Sequence, residues 1–432
     1  MARFLIGTVP VVGHVAPMVA IAGALVAAGH DLRWYTGEMF APWIAETGAQ
    51  FIPMSTGFDY SIEENISADL EAQREALEGL ALVKFDLKTF FVDAAVGYTQ
   101  DLLAILKDAP ADVVLADTFF LAAGWAHELG GPPWAQLAVS ALSFSSKDTA
   151  PYGMGLPPSG SLQGRLKNRA LQASVKLGFR DVLSSINAAR EAFNLEATDQ
   201  LLFDTVSPYL HMATTVPEFE YPRSDLPPQV HFIGPPIAAP SAPFTPPDWW
   251  ADLKGDRPVV HITQGTVATD PKDLLRPAIE ALADEPLLVV VTTGNEPIAD
   301  LGPLPDNVRA AEFIPHHDLL PHIDAMVTNG GYGGVQKALA QGIPLIGAGA
   351  TQDKPEICAR IAWAGVGLNL KTGSPKPKQI REAVRQLLTD ASYRQNAQRL
   401  QAAIQACDPA PRAVALLEAL ATTQKPVLEA TP

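Results

Sequence analysis

The chain has 432 residues, of which 47% are hydrophobic, so it is long enough to bury the cores of two globular domains. Its formal net charge of −16 argues against a nucleic-acid partner, because phosphate backbones bind clustered lysine and arginine. Two cysteines, Cys358 and Cys407, are too few for a disulfide framework or a zinc site.

The first half of the chain predicts alternating strands and helices. An apolar strand is expected from Arg3 to Thr8, then a loop over residues 9–15 and a helix from Pro17 to Ala28. Such alternation favours a parallel sheet with helices on both faces. No signal peptide precedes the first strand and no apolar run could span a bilayer, so we expect a cytoplasmic protein without a transmembrane segment. Further short strands are expected at residues 31–35, 113–116 and 134–139.

Prolines crowd residues 217–247, which excludes a helix and a central strand there and predicts a stiff interdomain connection. Beyond it the alternation restarts, and residues 377–420 have a helical pattern. The second-half strands are expected at 259–263, 287–292 and 325–327. The predicted organisation is a first α/β domain over residues 1–216, a linker over 217–254, a second α/β domain over 255–410, and a C-terminal helix and tail over 411–432 that can pack back on the first domain.

A histidine and an aspartate follow two strands predicted in the first domain. His14 comes after the first strand and Asp117 after strand 113–116, and α/β sheets bind ligands at such carboxyl ends. Asp117 could accept the Nδ1 proton of His14, leaving Nε2 to act as a general base. Either residue could instead cap a helix. Nearby phenylalanines are either ordinary core or the lining of an apolar acceptor pocket. Those assigned to the acceptor pocket are Phe58, Phe90, Phe119 and Phe144.

The most distinctive segment is TNGGYGGVQKAL at residues 328–339. Four glycines within five residues separate an apolar strand from a helix-forming segment. Such a turn lets backbone N–H groups reach an anion at the positive end of a helix. The segment therefore predicts a site for a nucleotide or a phosphorylated donor.

Other polar groups follow strands of the second domain. Gly265 and Thr266 lie just beyond the end of strand 259–263, and Thr266 can offer a hydroxyl and an N–H to a phosphate. The aromatic residue of FIPH at 313–316 could stack on a base. Asp353 and Glu356 suit sugar hydroxyls, although Glu356 could instead complement a helix dipole.

Three motifs of other enzyme classes are missing from the sequence. It has no Asp-x-Asp pair, no Walker A lysine after a glycine loop, and no Gly-x-Gly-x-x-Gly after the first strand. Divalent-metal phosphoryl chemistry and NAD binding in the first domain are therefore disfavoured, and with them a nicotinamide oxidoreductase.

The ordered set of motifs resembles the UDP-dependent glycosyltransferases of family GT1. These enzymes have the GT-B fold, an α/β architecture of two Rossmann-like, doubly wound domains facing a cleft. The resemblance spans residues 1 to about 420 and is greatest to the bacterial branch that glycosylates macrolides, polyketides and flavonoid-like aglycones. The matching segments are GHVAP at 13–17, LADTF at 115–119, QGT at 264–266, FIPHHDLLP at 313–321, the glycine segment with GIPL at 342–345, and DKPE at 353–356.

The resemblance implies inverting transfer of a hexose, most of all from UDP-glucose, to a hydroxyl of an apolar small molecule. It implies neither a metal nor a cofactor; a UDP- or TDP-sugar would be a co-substrate. His14 would deprotonate the acceptor, Asp117 would stabilise the imidazolium, and Thr266 with the helix after Gly331 would stabilise the leaving diphosphate. The donor-binding residues it implies are Gly265, Thr266, Phe313, Ile314, His316, Asn329, Gly330, Gly331, Gly333, Gly334, Lys337, Asp353 and Lys354.

Three donor positions depart from the family pattern. Asn329 stands where the family has a histidine, Lys337 where it has a ribose-binding glutamate, and Lys354 where it has a sugar-binding glutamine. Either lysine could supply positive charge to the diphosphate. The altered donor loop leaves a non-catalytic GT-B pseudoenzyme or accessory ligand-binding protein as the alternative.

Overall fold

A computed structural model of the chain describes residues 1–238, 244–265 and 270–429, and these form two parallel β-sheets. The first sheet contains β1 (Arg3–Gly7), β2 (Asp31–Thr36), β3 (Gln50–Pro53), β4 (Val113–Asp117), β5 (Trp134–Ala138), β6 (Leu210–Ala213) and β7 (Val230–Phe232). The second contains β8 (Val259–Thr263), β9 (Leu288–Thr292), β10 (Val308–Ala311), β11 (Ala325–Thr328), β12 (Leu345–Gly347) and β13 (Gly367–Asn369).

Helices connect the strands of each sheet. Those of the first half are α1 (Val12–Ala27), α2 (Ala41–Thr47), α3 (Ala68–Glu75), α4 (Gly79–Asp86), α5 (Ala94–Asp108), α6 (Ala122–Glu128), α7 (Leu162–Gly178) and α8 (Arg180–Glu191). Those of the second half are α9 (Leu275–Leu282), α10 (His316–Leu319), α11 (Tyr332–Ala340), α12 (Lys354–Trp363), α13 (Pro377–Thr389), α14 (Ala391–Gln405) and α15 (Pro409–Thr423).

Both sheets are doubly wound. The strand order is β3-β2-β1-β4-β5-β6-β7 in the first and β10-β9-β8-β11-β12-β13 in the second. The order reverses between β1 and β4, and again between β8 and β11. At such a reversal the connections leave in opposite directions, and a crevice opens at the carboxyl ends of the two strands.

The strands are apolar because both faces of each sheet are covered by helices. Every residue of β4 and of β8 is buried. One face of the first sheet packs on α1, α2 and α15, and the other on α5 and α6. One face of the second sheet packs on α11, α12 and α14, and the other on α9 and α13. The α/β class and doubly wound architecture predicted from the sequence are confirmed.

The first helix begins earlier than the sequence predicts. The sequence predicts a loop over residues 9–15, because this segment contains a proline and a glycine. In the structure α1 begins at Val12, and the N–H of Val15 already bonds the carbonyl of Val11. Pro17 is tolerated one turn into the helix. His14 consequently lies in the first turn of α1, which fixes the direction of its side chain.

The chain passes between the two domains twice. The proline-rich segment contains β7, which pairs with β6 as an edge strand of the first sheet. At the other end, α15 returns from the second domain and packs on α1, with Leu416, Leu417 and Leu420 buried in the core of the first domain. No helix within the described ranges is long and apolar enough to cross a membrane.

His211 on β6 makes folding sensitive to acid. Burial and, to a smaller degree, Arg223 lower the pKa of His211 to about 3, whereas an unfolded histidine titrates near ~6.5. Between these values the unfolded chain binds more protons, so the free energy of unfolding falls by about 1.4 kcal/mol per unit as pH drops below ~6.5. Denaturant titrations at several pH values should show this slope reduced by about that amount in His211→Asn. The exposed His317 offers the control, and an equal slope in His211→Asn and His317→Gln would contradict the assignment.

Candidate active site

His14 and Asp117 meet at the crevice of the first sheet. Asp117 is the last residue of β4, and His14 follows β1, so both stand where the strand order reverses. The Nδ1 atom of His14 lies 2.9 Å from Oδ1 of Asp117. The His14 side chain is 13% exposed and the Asp117 side chain is fully buried. With the Nδ1 proton donated to the carboxylate, Nε2 is left to accept a proton from a bound molecule.

Backbone groups fix the position of Asp117. Its Oδ2 accepts the N–H of Val9 at 2.8 Å, and its Oδ1 accepts the N–H of Phe119 at 2.9 Å. The next helix, α6, begins only at Ala122, and no side chain caps either α6 or α1. The two residues thus form one hydrogen-bonded pair and do not serve as the helix caps that the sequence left open.

Half-buried aromatic rings surround His14. The ring centroids of Phe91 and Phe119 lie 6.2 and 6.0 Å from that of His14. Phe58 and Phe90 stack on each other with centroids 6.2 Å apart. Each of these phenylalanines keeps part of its surface exposed, as the lining of a cavity for an apolar molecule would.

Phe144 does not belong to this lining. It is 6% exposed and packs in a separate core cluster with Leu142 and Val230. The Arg223 guanidinium lies 4.6 Å from the ring centroid, and His211 packs edge-on at 5.7 Å. The assignment of Phe144 to the acceptor pocket is therefore wrong, because the protein itself covers the ring.

The ends of β8 and β11 meet at the crevice of the second sheet. Gly265 follows β8 with a φ of +78°, which glycine adopts without strain. The Asn329 amide donates to the backbone oxygen of Gln264, and its Oδ1 accepts the N–H of Gly331 at 3.2 Å. Asn329 is 8% exposed, so its side chain ties the two strand ends together. Thr266 lies outside the described residues.

The glycine turn is packed tightly against α12. Gly330 has a φ of +85°, and a Cβ there would lie 2.6 Å from the sulfur of Cys358. Gly331 is the N-cap of α11, and Gly333 is exposed with nothing within 4 Å of an added Cβ. A Cβ on Gly334 would be in ordinary contact with the side chains of His316 at 3.6 Å and Met326 at 3.9 Å. The first N–H groups of α11 lack intrahelical partners, so this end of the helix can bind an anion.

Lys354 lies beside the turn. It is the first residue of α12 and 7% exposed, and its Nζ donates to Thr351 Oγ1 at 3.3 Å and Gln352 Oε1 at 3.0 Å. Burial lowers the pKa of Lys354. A Cβ on Gly330 would lie 3.4 Å from the Lys354 carbonyl oxygen. Lys337 occupies the exposed side of α11, one turn beyond Gly333.

The FIPH segment divides its residues between surface and core. Phe313 is 57% exposed, so its ring is open to stacking. Ile314 is 3% exposed and belongs to the core of the second domain, so only its backbone could contact a ligand. Burial and then the charge of Lys337 lower the pKa of His316 to about 4, which leaves that imidazole neutral at pH 7.

Asp353 reaches across the cleft to the first domain. Its Oδ2 accepts the Ser140 hydroxyl at 2.5 Å, and the Tyr152 hydroxyl donates to Ser140 Oγ at 3.1 Å. The Tyr152 ring lies 6.1 Å from that of Phe203, which in turn lies 5.8 Å from that of Phe119. A short series of contacts therefore joins the carboxylate of the second domain to the rings beside the His–Asp pair.

Buried charges also join the domains. Arg360 on α12 is 1% exposed and donates to Glu220 at 2.5 Å and to Glu356 at 2.8 Å. The other oxygen of Glu356 accepts the N–H groups of Gly153 and Gly155. Glu356 is therefore an interdomain contact in this structure, with both carboxylate oxygens hydrogen-bonded within the protein.

The sequence did not single out five residues of this interface. Ser140 could have been found, because it follows β5 just as His14 and Asp117 follow their strands. Nothing in the local sequence marks the others, since their roles depend on how the two domains face each other. They are Tyr152, Phe203, Glu220 and Arg360.

The chain is similar to known glycosyltransferases over nearly its whole length. The family model "Erythromycin biosynthesis protein CIII-like, C-terminal domain" matches residues 278–420. The chain is 46% identical to 4'-demethylrebeccamycin synthase of Lentzea aerocolonigenes, over 97% of this chain and 99% of that protein. It is 32% identical to UDP-glycosyltransferase 2 of Phaeomoniella chlamydospora, over 94% and 92%. The crystal structure of the calicheamicin glycosyltransferase CalG4 superposes with a TM-score of 0.74 at 23% identity, covering 99% and 100%.

The fold, the facing crevices and these relatives define the class of protein. The chain belongs to the GT1 family of natural-product glycosyltransferases and has the GT-B fold. It is a glycosyltransferase, which confirms the enzyme class predicted from the sequence and leaves no support for the pseudoenzyme alternative.

Proposed function

We propose that this glycosyltransferase moves a hexose from a nucleotide diphosphate sugar, UDP-glucose first of all, to a hydroxyl of an apolar small molecule such as a polyketide, macrolide or flavonoid. The observation that carries the proposal is the 2.9 Å contact between His14 Nδ1 and Asp117 Oδ1, in a crevice lined by aromatic rings. His14 Nε2 removes the acceptor proton while the acceptor oxygen attacks the anomeric carbon. Direct displacement inverts that carbon.

The aromatic lining supports an apolar acceptor. The rings of Phe91 and Phe119 lie 6.2 and 6.0 Å from that of His14, and both are partly exposed, so they offer apolar surface without competing hydrogen-bond donors. An acceptor held there has its hydroxyl beside a base that Asp117 already orients. Such positioning converts a bimolecular step into an effectively unimolecular one.

The second crevice supports a diphosphate leaving group. The N-terminus of α11 and the buried Lys354 supply positive potential beside the glycine turn. Phe313 is open to stacking on a base. These protein groups can offset the charge that develops on the diphosphate, so we propose that transfer requires no metal. Rates that fall on addition of EDTA and return with Mg²⁺ would refute that part.

The proposed reaction is tested by incubating the enzyme with UDP-glucose or TDP-glucose and with flavonoid or polyketide acceptors. Nucleotide diphosphate release and formation of a glycoside should depend on the acceptor. The proton spectrum of the product should show the β-linkage expected from inversion of an α-linked donor. An α-linked product would refute inversion, and inactivity with every nucleotide sugar, together with no nucleotide binding by calorimetry, would refute the proposed donor.

Lys354→Met tests the proposed diphosphate contact. Loss of a hydrogen bond to a charged group costs about 1.5–3 kcal/mol, so the donor KM should rise roughly tenfold or more. Lys378→Met is the matched control, since Lys378 is 83% exposed on α13. Equal donor KM values in the two variants would remove Lys354 from the donor site.

A further inference from the structure

Helix α7 presents a stripe of leucines to solvent. Leu162, Leu166 and Leu177 are 76%, 61% and 60% exposed. Successive leucines of this set are four and eleven residues apart, which places them along one stripe of the helix. The exposed Ala170 and Ala173 lie on the same stripe between them. The stripe extends over roughly 22 Å at 1.5 Å per residue. In a soluble helix such a stripe normally faces the core.

The opposite side of α7 faces the protein and combines polar residues with the half-buried Leu171 and Val175. Asn168, 4% exposed, donates to the Lys147 carbonyl at 3.2 Å. Gln172 donates to the Ser146 carbonyl at 2.7 Å. Hydrogen bonds thus anchor the helix on its inward side, and the three exposed leucines belong to none of the core clusters.

The charges of α7 contrast with those of the whole chain. The helix carries Arg165, Lys167, Arg169 and Lys176 and no acidic residue, in a chain of net charge −16. Arg165 pairs with Asp148 and Lys176 with the exposed Asp199. Within the described part of the chain, Lys167 and Arg169 form no ion pair, and both are exposed beside the leucine stripe. An apolar stripe flanked by basic residues has the composition of helices that lie in the headgroup region of membranes.

The end of α7 is connected to the active site by aromatic rings. Phe179 follows the helix, and its ring lies 6.4 Å from that of Phe203. Phe203 contacts Phe119 at 5.8 Å, and Phe119 contacts His14 at 6.0 Å. An apolar molecule dissolved in a bilayer beneath α7 would therefore meet a series of aromatic surfaces that ends at the candidate base.

We propose that α7 docks this enzyme on the surface of an anionic lipid bilayer, with the leucine stripe in the headgroup region and Lys167 and Arg169 against lipid phosphates. Basic residues near such a surface are attracted to its phosphates, and leucines inserted into the headgroup region add the apolar part of the binding. Docking does not depend on catalysis. The passage of the acceptor from bilayer to His14 rests on the function proposed above.

A second copy of this chain is a poorer occupant of the stripe. Two α7 helices packed on their leucines would bring the unpaired Lys167 and Arg169 of both copies together, and no acidic residue of α7 could compensate them. Lipid phosphates offer the opposite charge over the whole length of the helix.

The test is sedimentation of the full-length protein with vesicles, in the absence of any substrate. Wild type should bind vesicles of phosphatidylglycerol and phosphatidylcholine, bind pure phosphatidylcholine at least about fivefold more weakly, and dissociate as salt is raised. Leu166→Glu should lower the partition coefficient at least about tenfold, as should the double variant Lys167→Glu/Arg169→Glu.

Two controls match these variants. Leu428 is 57% exposed near the other end of the chain, and Lys378 is 83% exposed on α13, so Leu428→Glu and Lys378→Glu should bind vesicles as wild type does. Turnover of a water-soluble acceptor by Leu166→Glu should equal that of wild type, which shows that it is folded.

Equal vesicle binding by wild type and Leu166→Glu would overturn the proposal, as would no binding of wild type to anionic vesicles. A dimer by light scattering that Leu166→Glu converts to a monomer would instead assign the stripe to a second copy. Because binding is measured without substrates, an inactive protein that still binds vesicles leaves docking intact and refutes only the proposed reaction.

Discussion

Replacing His14 by alanine is expected to lower kcat at least about 100-fold, the usual contribution of a positioned general base. Asp117 accepts from the ring at 2.9 Å and is itself fully buried, so alanine at position 14 removes the group that takes the acceptor proton in the proposed reaction. Initial rates at saturating donor and acceptor measure the effect. Circular dichroism should stay unchanged, because His14 is not part of the core clusters.

Asp117→Asn separates orientation from base strength. Its side chain cannot accept from both Val9 and Phe119 as the carboxylate does, and it cannot stabilise an imidazolium. We expect kcat to fall with little change in donor KM. His317→Ala is the control, since His317 is exposed outside the crevice. A His14→Ala enzyme that keeps the wild-type rate would remove His14 as the base.

Replacing Arg360 by methionine is expected to be the most destabilising single change in the domain interface. It would leave Glu220 and Glu356, which are 2% and 4% exposed, without their positive partner. Breaking one side of a buried ion pair typically costs about 3–5 kcal/mol. Burial alone would lower the pKa of the Arg360 guanidinium, but the two carboxylates outweigh it and raise the pKa above its ordinary value.

Thermal and urea unfolding measure this loss. The matched control is Arg385→Met, which removes an ion pair of similar geometry with Glu285 from the surface, where Arg385 is 64% exposed. That change should cost much less stability than the loss of Arg360, because an exposed ion pair is screened by solvent. Similar losses in the two variants would mean that the buried triad contributes no more than a surface pair. A charge-conserving Arg360→Lys should recover only part of the stability, because lysine cannot donate to both carboxylates in the same plane.

The sequence predicted the elements that local pattern determines. Short apolar runs predicted β1, β4, β8 and β11. Strands covered by helices on both faces are apolar throughout and do not alternate polar with apolar residues. The positions of His14 and Asp117 after the strands indicated them as candidate site residues before any geometry was known. The cluster of glycines likewise predicted the turn at Gly330. A positive φ and the nearby sulfur of Cys358 exclude a side chain at that position.

What the sequence left out depends on contacts between distant segments. Glu220 and Arg360 are 140 positions apart, and only the arrangement of the two domains makes them a pair. Phe144 was assigned to the acceptor pocket as one of several phenylalanines near the candidate site. The sequence alone does not show whether the protein covers such a ring or leaves it exposed to a ligand. The outward leucines of α7 have the same helical spacing as a core helix, so periodicity alone could not give their direction.

The two passages of the chain between the domains have a mechanical consequence. A body attached to another at a single point can swing in any direction, whereas one attached at two separated points can turn only about the line that joins them. Here one attachment is the proline-rich segment and the other is the joint before α15, which is anchored by Leu416 and Leu417 on α1. Opening and closing of the cleft should therefore be a rotation about a single axis. Each closure should then restore the hydrogen bond between the Ser140 hydroxyl and Asp353.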